Sequence, residues 1–263
     1  MNKDMLRQSV VVLAVMATIV INGLANALPL NGQTTGEISD RFQVYFVPAG
    51  YVFSIWGLIY LGLVLLAIYQ GLPSQREHPR LRRIGYPFAL SCLANIAWLF
   101  LWHYEYFPLT LAAMVTLLLL LITIYVRLGI GRVAVSTTER WLAHVPFSIY
   151  LGWITVATIA NAASLLDYLN WGRWGLSAEA WTVIMLLAGV GIASAISFTR
   201  GDVAYMVVII WAFVGIAVKH SDTPVVAIAA WVATGLVGLA LAAGVVLTRQ
   251  RKQQAPSTKE AVG

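Results

Sequence analysis

Two pairs of tryptophan and asparagine lie in stretches that carry no charged side chain: Asn95 with Trp98, and Trp153 with Asn161. At about 100° per helical residue, Asn95 and Trp98 fall roughly 60° apart and Trp153 and Asn161 roughly 80°, so each pair shares a helix face. An amide surrounded by hydrocarbon needs a hydrogen-bond partner, and an indole beside it offers a flat stacking surface and one N–H donor. A third set, Phe53, Trp56 and Tyr60, spans roughly 60° on its own helix. Rings from three helices with a few polar handles are how pockets for flat hydrophobic ligands are lined. The same residue types also fill bundle cores and glue helices together, and composition alone leaves both readings open.

Other chemistry is scarce. The apolar stretches are free of Asp, Glu, Lys and Arg except at their ends, and intramembrane carboxylates are the usual mark of proton relays, which argues against a proton-driven pump. His78, His103, His144 and His220 have no second ligand at metal spacing, so no protein-built zinc or haem-iron site is expected. There is no phosphate-cradling glycine loop, and Ser148 and Ser197 have no evident base partner. No catalytic residue, metal or required cofactor is expected, and the chain reads as a binding protein, not an enzyme.

The elements that must hold these residues are membrane helices. Of the 263 residues 60% are hydrophobic and 11% charged, whereas a soluble domain carries about 25% charge. The expected fold class is an all-α integral membrane protein with about eight transmembrane helices, each needing roughly 20 apolar residues. The apolar segments are about 8–30, 51–71, 84–104, 107–129, 141–166, 178–198, 203–219 and 224–248. Lys3, Arg7, Arg76, Arg80, Arg82, Arg83, Arg127, Arg132, Arg140, Arg200, Arg249, Arg251, Lys252 and Lys259 fall on one side of these spans. Only Arg41, Arg173 and Lys219 fall on the other. The asymmetry predicts cytoplasmic N- and C-termini in the cell membrane. The net charge of +6 therefore speaks for membrane lipids as partners and not for nucleic acid. Cys92 alone excludes an internal disulfide. Lys3, Arg7 and the run Val10 to Ile21, followed by Ala25-Asn26-Ala27, also fit a cleaved signal, although apolar character continues through Leu28-Pro29-Leu30.

The longest connection on the poorly basic side, Asn31 to Gly50, ends in the aromatic run Phe42-Gln43-Val44-Tyr45-Phe46. It is either a lid over the bundle or a belt at headgroup level. The last three spans are rich in small residues, and Gly189 with Ala193, and Thr234 with Gly238 and Ala242, form ridges for close helix packing. The polar tail after Arg249 is expected to be disordered.

Pro48-x-Gly50-Tyr51-Val-Phe53 leading to Trp56-x-x-x-Tyr60, then Asn95-x-x-Trp98, then Pro146 followed by Trp153-x-x-x-Ala157-x-x-x-Asn161, resembles the tryptophan-rich sensory protein family (TspO/MBR, the translocator or peripheral benzodiazepine receptor proteins). The resemblance covers roughly residues 1–170. It implies a five-helix bundle, commonly a homodimer, that binds a small hydrophobic ligand such as a tetrapyrrole (porphyrin) or a sterol-like lipid in sensing or translocation. The ligand-binding set it implies is Phe53, Trp56, Tyr60, Asn95, Trp98, Trp153, Ala157 and Asn161. Where the family usually has two prolines and a tryptophan, this chain has Pro48-Ala49-Gly50-Tyr51. The expected organisation is a bundle over 1–170, three further helices over 171–248 and a tail over 249–263.

Overall fold

A computed structural model describes residues 3–28 and 30–254, without the side chains of Asn26 and of residues 251–254. Among these residues every regular element is helical. The long helices are α1 (Lys3–Ala27), α2 (Ile55–Gly71), α3 (Pro79–His103), α4 (Phe107–Leu128), α5 (Val145–Tyr168), α6 (Ala178–Arg200), α7 (Val203–Lys219) and α8 (Pro224–Gln254). All of them except α7 are long and apolar enough to cross a membrane, whereas α7 is a shorter apolar helix of 17 residues. At 1.5 Å per residue α7 extends about 25 Å, short of a hydrocarbon core of roughly 30 Å.

Local signals set the helix ends. Prolines stand in the first turns of α3 and α4, where a missing N–H leaves no bond unmade. Ser177 and Asp202 cap α6 and α7 by accepting the N–H groups of Ala180 and Tyr205. The entry to α5 is irregular: Arg140–His144 forms a π-helical turn, in which the Val145 N–H reaches back to the Arg140 carbonyl.

In order of packing, α1 lies against α2 and α3, α3 against α4, α4 against α5, and α5 against α2 and α7. Helices α6, α7 and α8 contact one another; α7 makes the broad contact with the first bundle, and α6 touches it at its two ends, through Trp181 on Trp171 and Arg200 on Tyr125 and the Ile130 carbonyl. Between helices in lipid there is no water to expel, so close packing and buried hydrogen bonds carry the association. Gln8 and Gln70 exchange side-chain bonds to each other's backbone carbonyls at 2.5 and 3.2 Å, tying α1 to α2. The Asn22 amide donates to Asn95 Oδ1 at 2.9 Å, and Asn95 donates to the Tyr150 hydroxyl at 3.1 Å, joining α1, α3 and α5.

Two carboxylates at the ends of the spans are buried. Glu139 is 3% exposed and accepts both Nε and Nη2 of Arg80, at 2.5 and 2.6 Å. Asp202 accepts the Tyr125 hydroxyl at 2.8 Å and the Ser148 hydroxyl at 2.6 Å. Ser148 thus has a carboxylate neighbour that its sequence surroundings do not show. That carboxylate is engaged three ways, as the cap of α7 and as the acceptor of two hydroxyls, which makes it a structural anchor.

Two expectations are corrected. The tail from Arg249 is helical through Gln254, as a continuation of α8, and its remainder lies outside the described residues. The Gly189 ridge packs as expected, since a Cβ there would lie 2.7 Å from Phe213 Cζ, but Gly238 has nothing within 4 Å. Helix α8 instead buries Ala230, Ala233, Val237 and Ala240. A helix that is apolar all round carries small residues on several faces, so their spacing does not reveal which face is inside.

Candidate ligand-binding site

The connection between α1 and α2 is a roof. Its short helix, Thr35–Asp40, opens on a capping box: Thr34 N–H donates to Glu37 Oε2 at 2.6 Å and Glu37 N–H donates back to Thr34 Oγ1 at 3.3 Å. The Thr34 N–H and the Thr34 hydroxyl, which also donates to Glu37 Oε2 at 2.9 Å, hold the Glu37 carboxyl below its usual range. Trp102 Nε1 donates to the Thr35 carbonyl at 3.2 Å, and the His103 ring bonds Thr35 Oγ1 and the Leu30 carbonyl, each at 3.1 Å. Phe42 packs on Trp102 and Phe107, with ring centroids 5.8 and 5.0 Å away. Phe46 is fully buried against Phe213. The phenylalanines of this connection therefore turn inward, which favours the lid reading over the belt.

The next stretch, residues 47–54, is held from outside the first bundle. Ala49 N–H donates to the Gly215 carbonyl at 3.1 Å. Trp211 Nε1 donates to the Val52 carbonyl and His220 Nε2 to the Val47 carbonyl, both at 3.2 Å. Only a glycine at 215 lets α7 come this close: a Cβ would lie 2.2 Å from Val52 Cγ2 and 3.0 Å from Pro48 Cβ.

Under the roof lies an apolar cavity that is open on one side. The roof contributes Thr35 and Ser39, and the following stretch contributes Val47, Pro48 and Phe53. Trp56 comes from α2, Trp98 and Trp102 from α3, and Met114 from α4. Helix α5 supplies Trp153, Val156, Ala157, Ala160, Asn161 and Ser164. No ionisable side chain is in this lining.

Of the expected residues, Phe53, Trp56, Trp98, Trp153, Ala157 and Asn161 come together on the cavity, and Tyr60 and Asn95 do not. Tyr60 lies one turn along α2 and stacks on Trp56, 5.4 Å away at 22°. Asn95 is turned roughly 60° from Trp98 around α3, which points its amide at Asn22 and Tyr150. It joins helices and does not face the cavity.

The rings form a rigid box. Trp98 and Trp102 stack at 5.6 Å and 20°, while Trp153 meets Phe53 and Trp56 edge to face at 5.7 and 6.2 Å. Asn161 Oδ1 accepts Trp98 Nε1 at 3.2 Å, and its amide donates to Thr110 Oγ1 at 2.9 Å, so Asn161 braces the Trp98 ring. Trp153 differs: it is 2% exposed and its Nε1–H has no protein partner. A buried unmade donor is costly, by about 1–3 kcal/mol.

Sequence reasoning missed Trp102, although it follows Trp98 by four residues on the same helix face. Thr34-x-x-Glu37 is a legible capping box that announces the roof helix bearing Thr35 and Ser39. Met114, Ala160 and Ser164 carry no signal, because small and apolar residues are the background of every span. Among the described residues no cluster of three or more His, Cys, Asp or Glu side chains is placed to hold a metal.

A family model described as TSPO-like protein matches residues 8–243. The chain belongs to the TSPO-like protein family. Neither a curated protein nor a solved structure matches it significantly. The motif resemblance stops near residue 170, but the family match continues through α6 and α7 into α8. The last three helices of this TSPO-like chain thus fall within the family's span, which the motifs alone do not reach.

Proposed function

We propose that this TSPO-like membrane protein binds a flat hydrophobic molecule, a tetrapyrrole or a sterol-like lipid, in the cavity beneath its roof, and acts in sensing or translocation and not in catalysis. The observation that carries the reading is a cavity without ionisable lining, boxed by the rings of Phe53, Trp56, Trp98, Trp102 and Trp153. Stacking on these rings supplies the apolar contact for a flat ligand. We place the protein in the cell membrane with both termini cytoplasmic, on the strength of the arginine-rich loops.

The test is titration of the purified protein with protoporphyrin while tryptophan emission is followed. Saturable quenching at micromolar ligand is expected, weakened about tenfold in Trp153→Phe. Absence of saturable quenching refutes the reading. A second reading, transport that uses all eight helices, draws on the bonds from α7 to residues 47–52. Uptake of labelled ligand into vesicles, absent from protein-free vesicles, distinguishes it from binding alone.

A further inference from the structure

A second cleft opens at the same end of the bundle, across the roof from the cavity and between α5 and α6. It is open to the outside, and Gln43, Asp167, Trp171, Arg173 and Trp181 are among its lining residues. We propose that this cleft binds a phosphocholine group, with the quaternary ammonium on the indole faces of Trp171 and Trp181 beside Asp167 and the phosphate on Arg173.

The aromatic half of the site is a cluster of three indoles. Trp171, Trp174 and Trp181 meet pairwise edge to face, with centroids 5.2, 4.9 and 5.7 Å apart. Trp171 and Trp181 are only half-buried, so part of their ring surface is open to a cation, and indole is the strongest cation-binding ring. A quaternary ammonium has no N–H to donate, so ring faces and a nearby carboxylate suit it better than hydrogen-bond acceptors do.

The charged half is arranged for a zwitterion. Asp167 Oδ2 is fixed by the backbone N–H of Gln43 at 3.0 Å. Its Oδ1 lies 3.8 Å from Arg173 Nη1, beyond the roughly 3.2 Å reach of an N–H···O bond. The carboxylate therefore orients the guanidinium without taking up its donors, whose planar fork matches a phosphate. Asp167 and Arg173 side by side complement a ligand that carries both charges, and a purely anionic headgroup would meet the carboxylates of Asp167 and, near Arg173, of Glu179 with no cation to offer them. The loop that presents these groups is unusual in its backbone. Asn170, Arg173 and Trp174 all adopt positive φ, at 53°, 49° and 52°, conformations that side-chain-bearing residues keep only where the surroundings hold them. Trp174 is nonetheless 79% exposed. The connection joins two spans, so it sits at headgroup depth whichever way the chain faces.

Full-length protein in detergent is offered an equimolar mixture of phosphatidylcholine, phosphatidylethanolamine and phosphatidylglycerol with identical acyl chains, and lipid retention is read by native mass spectrometry. The expected result is retention of phosphatidylcholine at about fivefold over phosphatidylglycerol, falling to near parity in both Trp181→Phe and Arg173→Gln. Addition of millimolar phosphocholine separates the sources. Displacement supports the same zwitterion on a soluble molecule, and no displacement supports it on a lipid. Equal retention of the three lipids, or a preference unchanged in both variants, overturns the proposal. Thermal melting confirms that each variant folds. Arg173 lies in a connecting loop, and if Trp181→Phe fails to fold, Arg173→Gln decides alone.

Discussion

Gly215→Ala tests whether α7 sets the shape of the cavity. The added Cβ would lie 2.2 Å from Val52 Cγ2, whereas ordinary contact begins at 3.4 Å, so Val52 or α7 must move by about 1.2 Å (3.4 − 2.2). Val52 is fully buried and β-branched, so rotating its side chain away is no escape. The Ala49 and Trp211 hydrogen bonds at this contact, 3.1 and 3.2 Å long, stretch with it. Two effects compete. Alanine in a helix interior is favoured over glycine by about 0.5–1 kcal/mol, and overpacking of a tight contact costs about 1–3 kcal/mol. The clash is the larger, so Gly215→Ala lowers the melting temperature. Because Pro48 and Phe53 line the cavity on the displaced segment, it also weakens protoporphyrin quenching by about tenfold. Gly238→Ala, where nothing lies within 4 Å, is the matched control: helix preference alone raises its melting temperature slightly, and quenching is unchanged. If Gly215→Ala melts and binds like the parent protein, α7 does not hold the wall, and the reasoning from close approach is wrong.

Further outcomes follow from the same contacts. Asn161→Ala leaves the buried Trp98 N–H without its acceptor and destabilises by about 1–3 kcal/mol in denaturant unfolding. Glu139→Gln weakens the two charged bonds to Arg80, whose side chain is 31% exposed, and costs about 1–3 kcal/mol, whereas Arg82→Gln, at a side chain 43% exposed, costs no more than about 1 kcal/mol. Acid loosens the roof, because two groups outside the spans act in the same direction. The Glu37 carboxyl is held below its ordinary 4.5 by Thr34, so its stabilisation is present above that value and lost as pH falls through the depressed one. Burial holds His220 below 6.5, so the unfolded chain takes up the proton first and stability falls as pH drops below about 6.5. Hydrogen exchange over residues 34–54, corrected for intrinsic rate, is expected to be faster at pH 5 than at pH 7.5 through His220 alone, the Glu37 loss following only below pH 4.5. Equal protection at both values refutes this.

How far the sequence was readable depends on which signal each feature left. The spans were legible because hydrocarbon tolerates so few charged groups that their ends stand out. Most of the aromatic wall was legible because Phe53, Trp56, Trp98 and Trp153 are rare, bulky residues at helical spacing. Asn95 was misplaced because an amide has the same sequence signature whether it meets a ligand or another helix, and a 60° rotation decides between them. The clamp from α7 was invisible, since Gly215, Trp211 and His220 lie more than 150 residues from the carbonyls and side chains they meet. Nothing local encodes that meeting. Glu139 and Asp202 were seen only as terminal charges, because burial at a span end depends on the neighbouring loops.

The bond between Asn22 and Asn95 has a consequence for how the chain is made. Its partners are 73 residues apart, and at roughly 5–20 residues per second a ribosome needs about 4–15 s to synthesise that interval. Until α3 emerges, the Asn22 amide has the Thr18 carbonyl of its own helix, at 2.8 Å, as its acceptor. For those seconds α1 waits in the bilayer without its bond to α3, kept there by the apolar residues around it. Replacing Asn22 with leucine would make α1 easier to insert and the finished bundle harder to hold together, so insertion efficiency and mature stability should move in opposite directions.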